Sequence, residues 1–155
     1  MNLSAHFTLA EFTRSERAER LGLDNSIPNN LMSNANRMAM LMEQVRSILG
    51  NKIIVVNSMY RSPAVNKAVG GSRTSYHLKA LACDFVCPSF GSPYDIATKL
   101  SNLPLVYGFV FDQLIYEGSW VHIGLADENK TPRMQVMTMM IINKKVVYPK
   151  GIILK

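Results

Sequence analysis

Ser75-Tyr76-His77-Leu78-Lys79-Ala80-Leu81-Ala82-Cys83-Asp84, answered downstream by Trp120-Val121-His122-Ile123-Gly124, decides how this chain reads. The chain has three histidines, and two of them sit in these segments. A histidine, a carboxylate seven residues on and a distant histidine on a strand make a three-ligand zinc set with one position left open. The open position separates a catalytic zinc from a structural one, which four protein ligands close. Asp84 lies among Ala82, Cys83, Phe85 and Val86. An unpaired carboxylate there would be costly to bury; a metal, backbone amides or Arg61 would each supply a partner.

Around His122 the pattern predicts a hairpin. Val110 to Glu117 and Trp120 to Leu125 read as strands joined by Gly118-Ser119, and glycine at the first central position suits a type II′ turn. Glu117 then pairs with Trp120, and Ile115 with His122. Cross-strand partners share a face, as do residues two apart on one strand. Glu117, Trp120 and His122 would therefore point the same way, with Glu117 in diagonal reach of an ion on His122. That suits a general base which takes a proton from water and passes it to a leaving amine. Asp112 has the opposite parity and should face away.

Further out, Thr8 with Glu11 makes a capping box for a short helix over Phe7–Phe12, and Thr13 with Glu16 repeats the spacing ahead of a second. Gly22 would close that second helix. His6 falls in an N-terminal segment expected to be disordered and is assigned no role. Asp24 to Asn30 reads as a loop. Leu31 to Leu49 has helical apolar spacing and stops at Gly50. Ile53-Ile54-Val55-Val56 predicts a buried strand. Ala64 to Val69 and Pro93 to Leu103 read as helices, and Ala82 to Val86, Met134 to Ile142 and Val146 to Tyr148 as strands. Helices first and then a small, mostly antiparallel sheet is the α+β class, with the N-terminal helices packed on the sheet.

At 155 residues, 48% hydrophobic and 18% charged, the chain reads as one globular domain over residues 1–155. No apolar run is long enough to span a bilayer, so no membrane insertion is expected. The first residues lack the basic and apolar regions of a signal peptide. The expectation is accumulation in the cytoplasm of the producing cell. Cys83 and Cys87 are too few for a disulfide framework and read as free thiols. A net charge of +6 favours polyanionic surroundings, whether nucleic acid, anionic lipid or an acidic wall. No stripe of arginine and aromatic residues marks a nucleic-acid binder.

Several motifs together resemble a known family. They are Tyr60-Arg61-Ser62-Pro63, then Asn66-Lys67-Ala68-Val69-Gly70-Gly71-Ser72, then Ser75-x-His77 with Asp84, and then Glu117 with Trp120-x-His122. The chain resembles the zinc D-Ala-D-Ala carboxypeptidase family of peptidoglycan peptidases. Within it, the likeness is to the phage and prophage branch that includes L-alanyl-D-glutamate endopeptidase endolysins. The opening Phe7-Thr8-Leu9-Ala10-Glu11-Phe12-Thr13-Arg14-Ser15, with Arg20-Leu21-Gly22, is similar to that branch too.

The resemblance implies a zinc held by His77, Asp84 and His122, a catalytic carboxylate, and Arg61 contacting substrate or transition state. It implies the fold shared with lysostaphin-type peptidases and the hedgehog signalling domain. Ser75 and Trp120 flank the ligands and are candidate substrate contacts. Two departures stand out: Ala80 replaces a common glycine, and the nearest acid, Glu117, lies five residues before His122 rather than two or three. The function implied is a monomeric enzyme that cuts a stem-peptide bond in peptidoglycan and lyses a host cell after release. The alternative is a non-catalytic, zinc-containing wall-binding domain of the same fold.

Overall fold

Short helices with explicit caps open the chain. The computed structural model describes residues 1–103 and 108–155. By its internal contacts the chain divides into two compact units, Met1–Glu43 with Val56–Cys83, and Gln44–Val55 with Asp84–Lys155.

In the first unit, the Glu11 amide donates to Thr8 Oγ1 and the Thr8 amide donates to the Glu11 carboxylate, which starts helix α1 (Leu9–Thr13). Phe7 and Phe12 are buried with ring centroids 5.9 Å apart. Each such side chain contributes about 1.5–3 kcal/mol when fully buried. The residues ahead of Phe7 are ordered, contrary to the expectation of disorder. Asn2 bridges Thr8, while Ser4 Oγ, the His6 amide and His6 Nδ1 all engage Glu43. Those hydrogen bonds from Ser4 and His6 outweigh desolvation and hold the Glu43 carboxyl below its ordinary range.

Helix α2 (Glu16–Leu21) is capped by Ser15, not by Thr13 as the sequence suggested. The Thr13 hydroxyl is instead committed to the Leu9 carbonyl inside α1, at 3.0 Å. Gly22 closes α2 at φ 63°, the left-handed geometry that favours glycine. Helix α3 (Met32–Ile48) buries Ala35, Met38, Ala39, Met42 and Val45, the i, i+3, i+4 stripe of an amphipathic helix. Ser62 caps α4 (Pro63–Ala68), which has proline at its first position.

Strand β1 (Val55–Ser58) starts two residues later than the predicted Ile53–Val56. Ile53 is 74% exposed, and burial alternates along the strand. β1 is an edge strand of the five-stranded sheet β1-β2-β4-β3-β5, and its alternating burial is that of a strand with one face packed and the other in water. The sheet continues with β2 (Ala82–Val86), β3 (Gln113–Tyr116), β4 (Val121–Gly124) and β5 (Gln135–Thr138). A separate hairpin joins β6 (Met140–Ile142) and β7 (Lys145–Val147).

In the second unit, helix α5 (Pro93–Ser101), capped by a Ser92–Asp95 box, packs on β3 and β4. Its Ile96 and Leu100, with Phe85, Leu114 and Ile123, are among the largest fully buried side chains. The α+β class stands, but the sheet is mixed: β3 pairs antiparallel with β4 and parallel with β5. The chain leaves β4 at Gly124 and returns beside β3 at Gln135. Asp112 secures that return. Its carboxylate accepts from the Arg133 amide, Nε and one terminal nitrogen, the last at 2.7 Å, while its carbonyl accepts from the Gln135 amide. The predicted strand Met134–Ile142 is broken at Met139, because β3 ends at Tyr116 and the chain beyond turns to pair with β7.

Candidate metal centre

His77 sits in a 3₁₀ turn, Tyr76–Lys79, that Ser75 caps by accepting from the His77 amide. The ring is 2% exposed, and its Nδ1 lies 2.6 Å from the Met59 carbonyl. A carbonyl can only accept, so Nδ1 carries the proton and the ring lone pair lies on Nε2. Fixing the tautomer through a backbone carbonyl is how metal-ligating histidines are commonly oriented. The turn closes at Ala80, which is fully buried and left-handed at φ 56°.

Arg61 and Ser75 come to the same unit as His77. The Arg61 amide donates to the His77 carbonyl, and a guanidinium nitrogen reaches Ser75 Oγ at 3.5 Å. Gly71 leaves room for that guanidinium: a β-carbon there would stand 2.9 Å from an Arg61 terminal nitrogen and 2.1 Å from Asn66 Oδ1. Asn25 is a positioning residue that the sequence reading missed inside a loop. Its side-chain amide donates to the Thr13 and Tyr60 carbonyls, and its oxygen accepts from the Ser62 amide, so it clamps the backbone on both sides of Arg61. Nothing in its local sequence distinguishes it from any loop asparagine.

In the second unit the hairpin has the register read from sequence. Ile115 faces His122, and the Glu117 amide donates to the Trp120 carbonyl around Gly118 at φ 98°. His122 Nδ1 lies 2.8 Å from Asp84 Oδ1. Burial raises the pKa of the Glu117 carboxyl, and Asp84 adds to this, while His122 and Lys155 pull it down. Glu117 thus lies within electrostatic reach of both Asp84 and His122. Asp112 is turned away and bound to Arg133. The Trp120 indole N–H is buried with no acceptor among the described residues.

One ligand atom each of His77, Asp84 and His122 lies within 4.8 Å of the others, so the three form a possible metal site. Two imidazoles and a carboxylate are a donor set that zinc accepts, at bonds of about 2.0–2.2 Å. Among the described residues no helix is long and apolar enough to cross a membrane, and Cys83 and Cys87, both buried, are not joined in a disulfide.

An α+β fold with two histidines and a carboxylate drawn together is the architecture of a candidate metallohydrolase. A family model described as Peptidase M15 matches residues 5–124, and the chain belongs to that family of metallopeptidases. No curated protein sequence matched the chain.

Proposed function

We propose that this protein is a zinc peptidase that hydrolyses a bond in the peptidoglycan stem peptide, of D-Ala-D-Ala carboxypeptidase or L-alanyl-D-glutamate endopeptidase type. The observation that carries the reading is the His77, Asp84 and His122 group with Glu117 electrostatically coupled to it, in a chain of the M15 family. His77, Asp84 and His122 would hold the ion, and zinc in that place would supply Lewis acidity toward the scissile carbonyl and toward water. Glu117 takes the proton of the attacking water and hands it to the leaving amine; its burial-raised pKa brings it nearer neutrality, where general bases work best. Arg61 holds the developing oxyanion or a substrate carboxylate in the fork that guanidinium provides. Ser75 and the Trp120 indole N–H offer further hydrogen bonds to substrate.

In this reading the protein works as a monomer and a single domain. It waits in the cytoplasm of the producing cell and serves as a phage or prophage endolysin once released to the wall. The charge of +6 favours the anionic wall, an attraction that weakens as salt rises. The test is digestion of purified peptidoglycan by the zinc-loaded protein, with and without chelator, followed by mass spectrometry of the new termini. Chelator-sensitive termini are expected, and their identity names the bond. Full zinc occupancy with no release from several wall types would overturn the reading in favour of a non-catalytic wall-binding domain.

A further inference from the structure

The family match ends at residue 124, yet the chain beyond it returns to Glu117. After the β6–β7 hairpin, residues 149–153 are laid along β5. The Thr138 amide donates to the Pro149 carbonyl, the Gly151 amide donates to the Val136 carbonyl, and Thr138 Oγ1 links the Gly151 carbonyl to the Ile153 amide. Lys150 also bridges Met137. This ladder aims the last residues back toward the turn of the β3–β4 hairpin.

There the Lys155 side chain lies across Gly118, the neighbour of Glu117. A β-carbon on Gly118 would meet Lys155 Cε at 3.1 Å. The ammonium stands 5.4 Å from the centroid of the Tyr116 ring and donates to the Met139 carbonyl. The Met139 amide in turn bonds the Tyr116 carbonyl, so the seat of the ammonium is built on β3 itself. An ammonium has three protons, and one is used on Met139. The residue is exposed, so its remaining donors are open to solvent. Glu117 and Lys155 act on each other electrostatically, as do Glu117 and Tyr148. Lys155 thus sets a cation on exposed surface within electrostatic reach of the half-buried Glu117 carboxylate.

We propose that the segment beyond the family match is a specificity element, in which Lys155, seated over Tyr116 and Gly118, receives a carboxylate of the substrate on the Glu117 side of the scissile bond. The proposal rests on the peptidase reading and deepens it by naming the chemistry that the substrate must present there. Two sources would offer that chemistry: a carboxylate at the end of the peptide, or one on an acidic residue within it. A charge-assisted hydrogen bond of this kind is worth about tenfold or more in binding.

The experiment compares the wild type with Lys155→Met, which keeps an unbranched apolar stem over Tyr116, and with Lys155→Arg, which restores the charge. The probes are three synthetic stem peptides: the free acid, its C-terminal amide, and the peptide amidated at its internal acidic residue. Binding is followed by NMR titration of chelator-treated protein, and kcat and KM by zinc-loaded turnover. In the wild type one amidation weakens binding about tenfold, and which one does so names the source. In Lys155→Met that preference for acid over amide collapses to within about twofold, and Lys155→Arg restores it. Unchanged acid-over-amide preference in Lys155→Met, or no binding of any peptide to the wild type, overturns the proposal. Wild type that binds with this preference but never turns over zinc-loaded substrate overturns the peptidase reading while leaving the Lys155 contact standing.

Discussion

Removing the Arg133 side chain should destabilise the protein more than neutralising its partner Asp112. The Asp112 side chain is 2% exposed and Arg133 47%. In Arg133→Met the carboxylate remains buried and charged, keeping only the residue-133 amide of its present Arg133 partners. Stranding one member of a buried pair costs about 3–5 kcal/mol, and the half-exposed geometry here places the cost near the lower figure. In Asp112→Asn the guanidinium swings into water and the amide side chain still accepts, so the loss is about 1 kcal/mol. With a urea m-value of about 2 kcal/mol per molar, the two midpoints should fall by about 1.5 M and 0.5 M. Equilibrium urea unfolding followed by circular dichroism, on metal-free protein, measures both. Equal losses, or a larger loss in Asp112→Asn, would refute the argument that stranded charge, and not the pair itself, sets the cost. Because Asp112 faces away from His122, Asp112→Asn should also keep peptidase turnover wherever it folds.

Three further outcomes follow from the site. Glu117→Gln should lower turnover about 10²–10⁴-fold yet raise the melting midpoint of metal-free protein at pH 7. Burial raises the folded pKa of Glu117 above its ordinary 4.5, so its charged form costs stability above the folded pKa, and the cost vanishes as pH falls below 4.5. Differential scanning fluorimetry should therefore show the variant's advantage at neutral pH and none near pH 4; equal midpoints at pH 7 would count against it. Gly71→Ala should lower kcat/KM about tenfold or more while shifting the melting midpoint only a few degrees, because the new methyl displaces Asn66 and the Arg61 guanidinium. Zinc should raise the wild-type melting midpoint in a concentration-dependent way. His77→Ala and His122→Ala should lose most of that rise, and retention of the full rise in both would remove the three-residue site.

The features legible in the sequence are those whose physics is local. A capping box satisfies two backbone amides within four residues, so Thr8 and Glu11 announced α1 by themselves. A two-residue turn sets hairpin register, so Gly118-Ser119 was enough to put Ile115 opposite His122 and to separate Glu117 from Asp112. His77, Asp84 and His122 stood out in the sequence because two of the three histidines lie in the segments that also carry Asp84 and the β4 strand; the three form a possible metal site, and the family match agrees with the class of enzyme they implied.

What depended on distant parts of the chain was decided only by tertiary structure. Thr13 and Ser15 are equally good caps by composition, and the choice fell to Ser15 once α1 claimed the Thr13 hydroxyl. Ile53 belongs to a β-branched run, but β1 begins only at Val55 and Ile53 stays in water, because pairing with the neighbouring strand and not local propensity sets where a strand starts. Parallel pairing of β5 with β3 is accompanied by an ion pair across 21 residues, which no periodicity reports. Asn25 clamps Tyr60 and Ser62 from 35 or more residues away, and Lys155 reaches Gly118 only because residues 149–153 run along β5. In each case a single side chain takes its role from partners brought near by folding, and its own neighbours in sequence carry no trace of it.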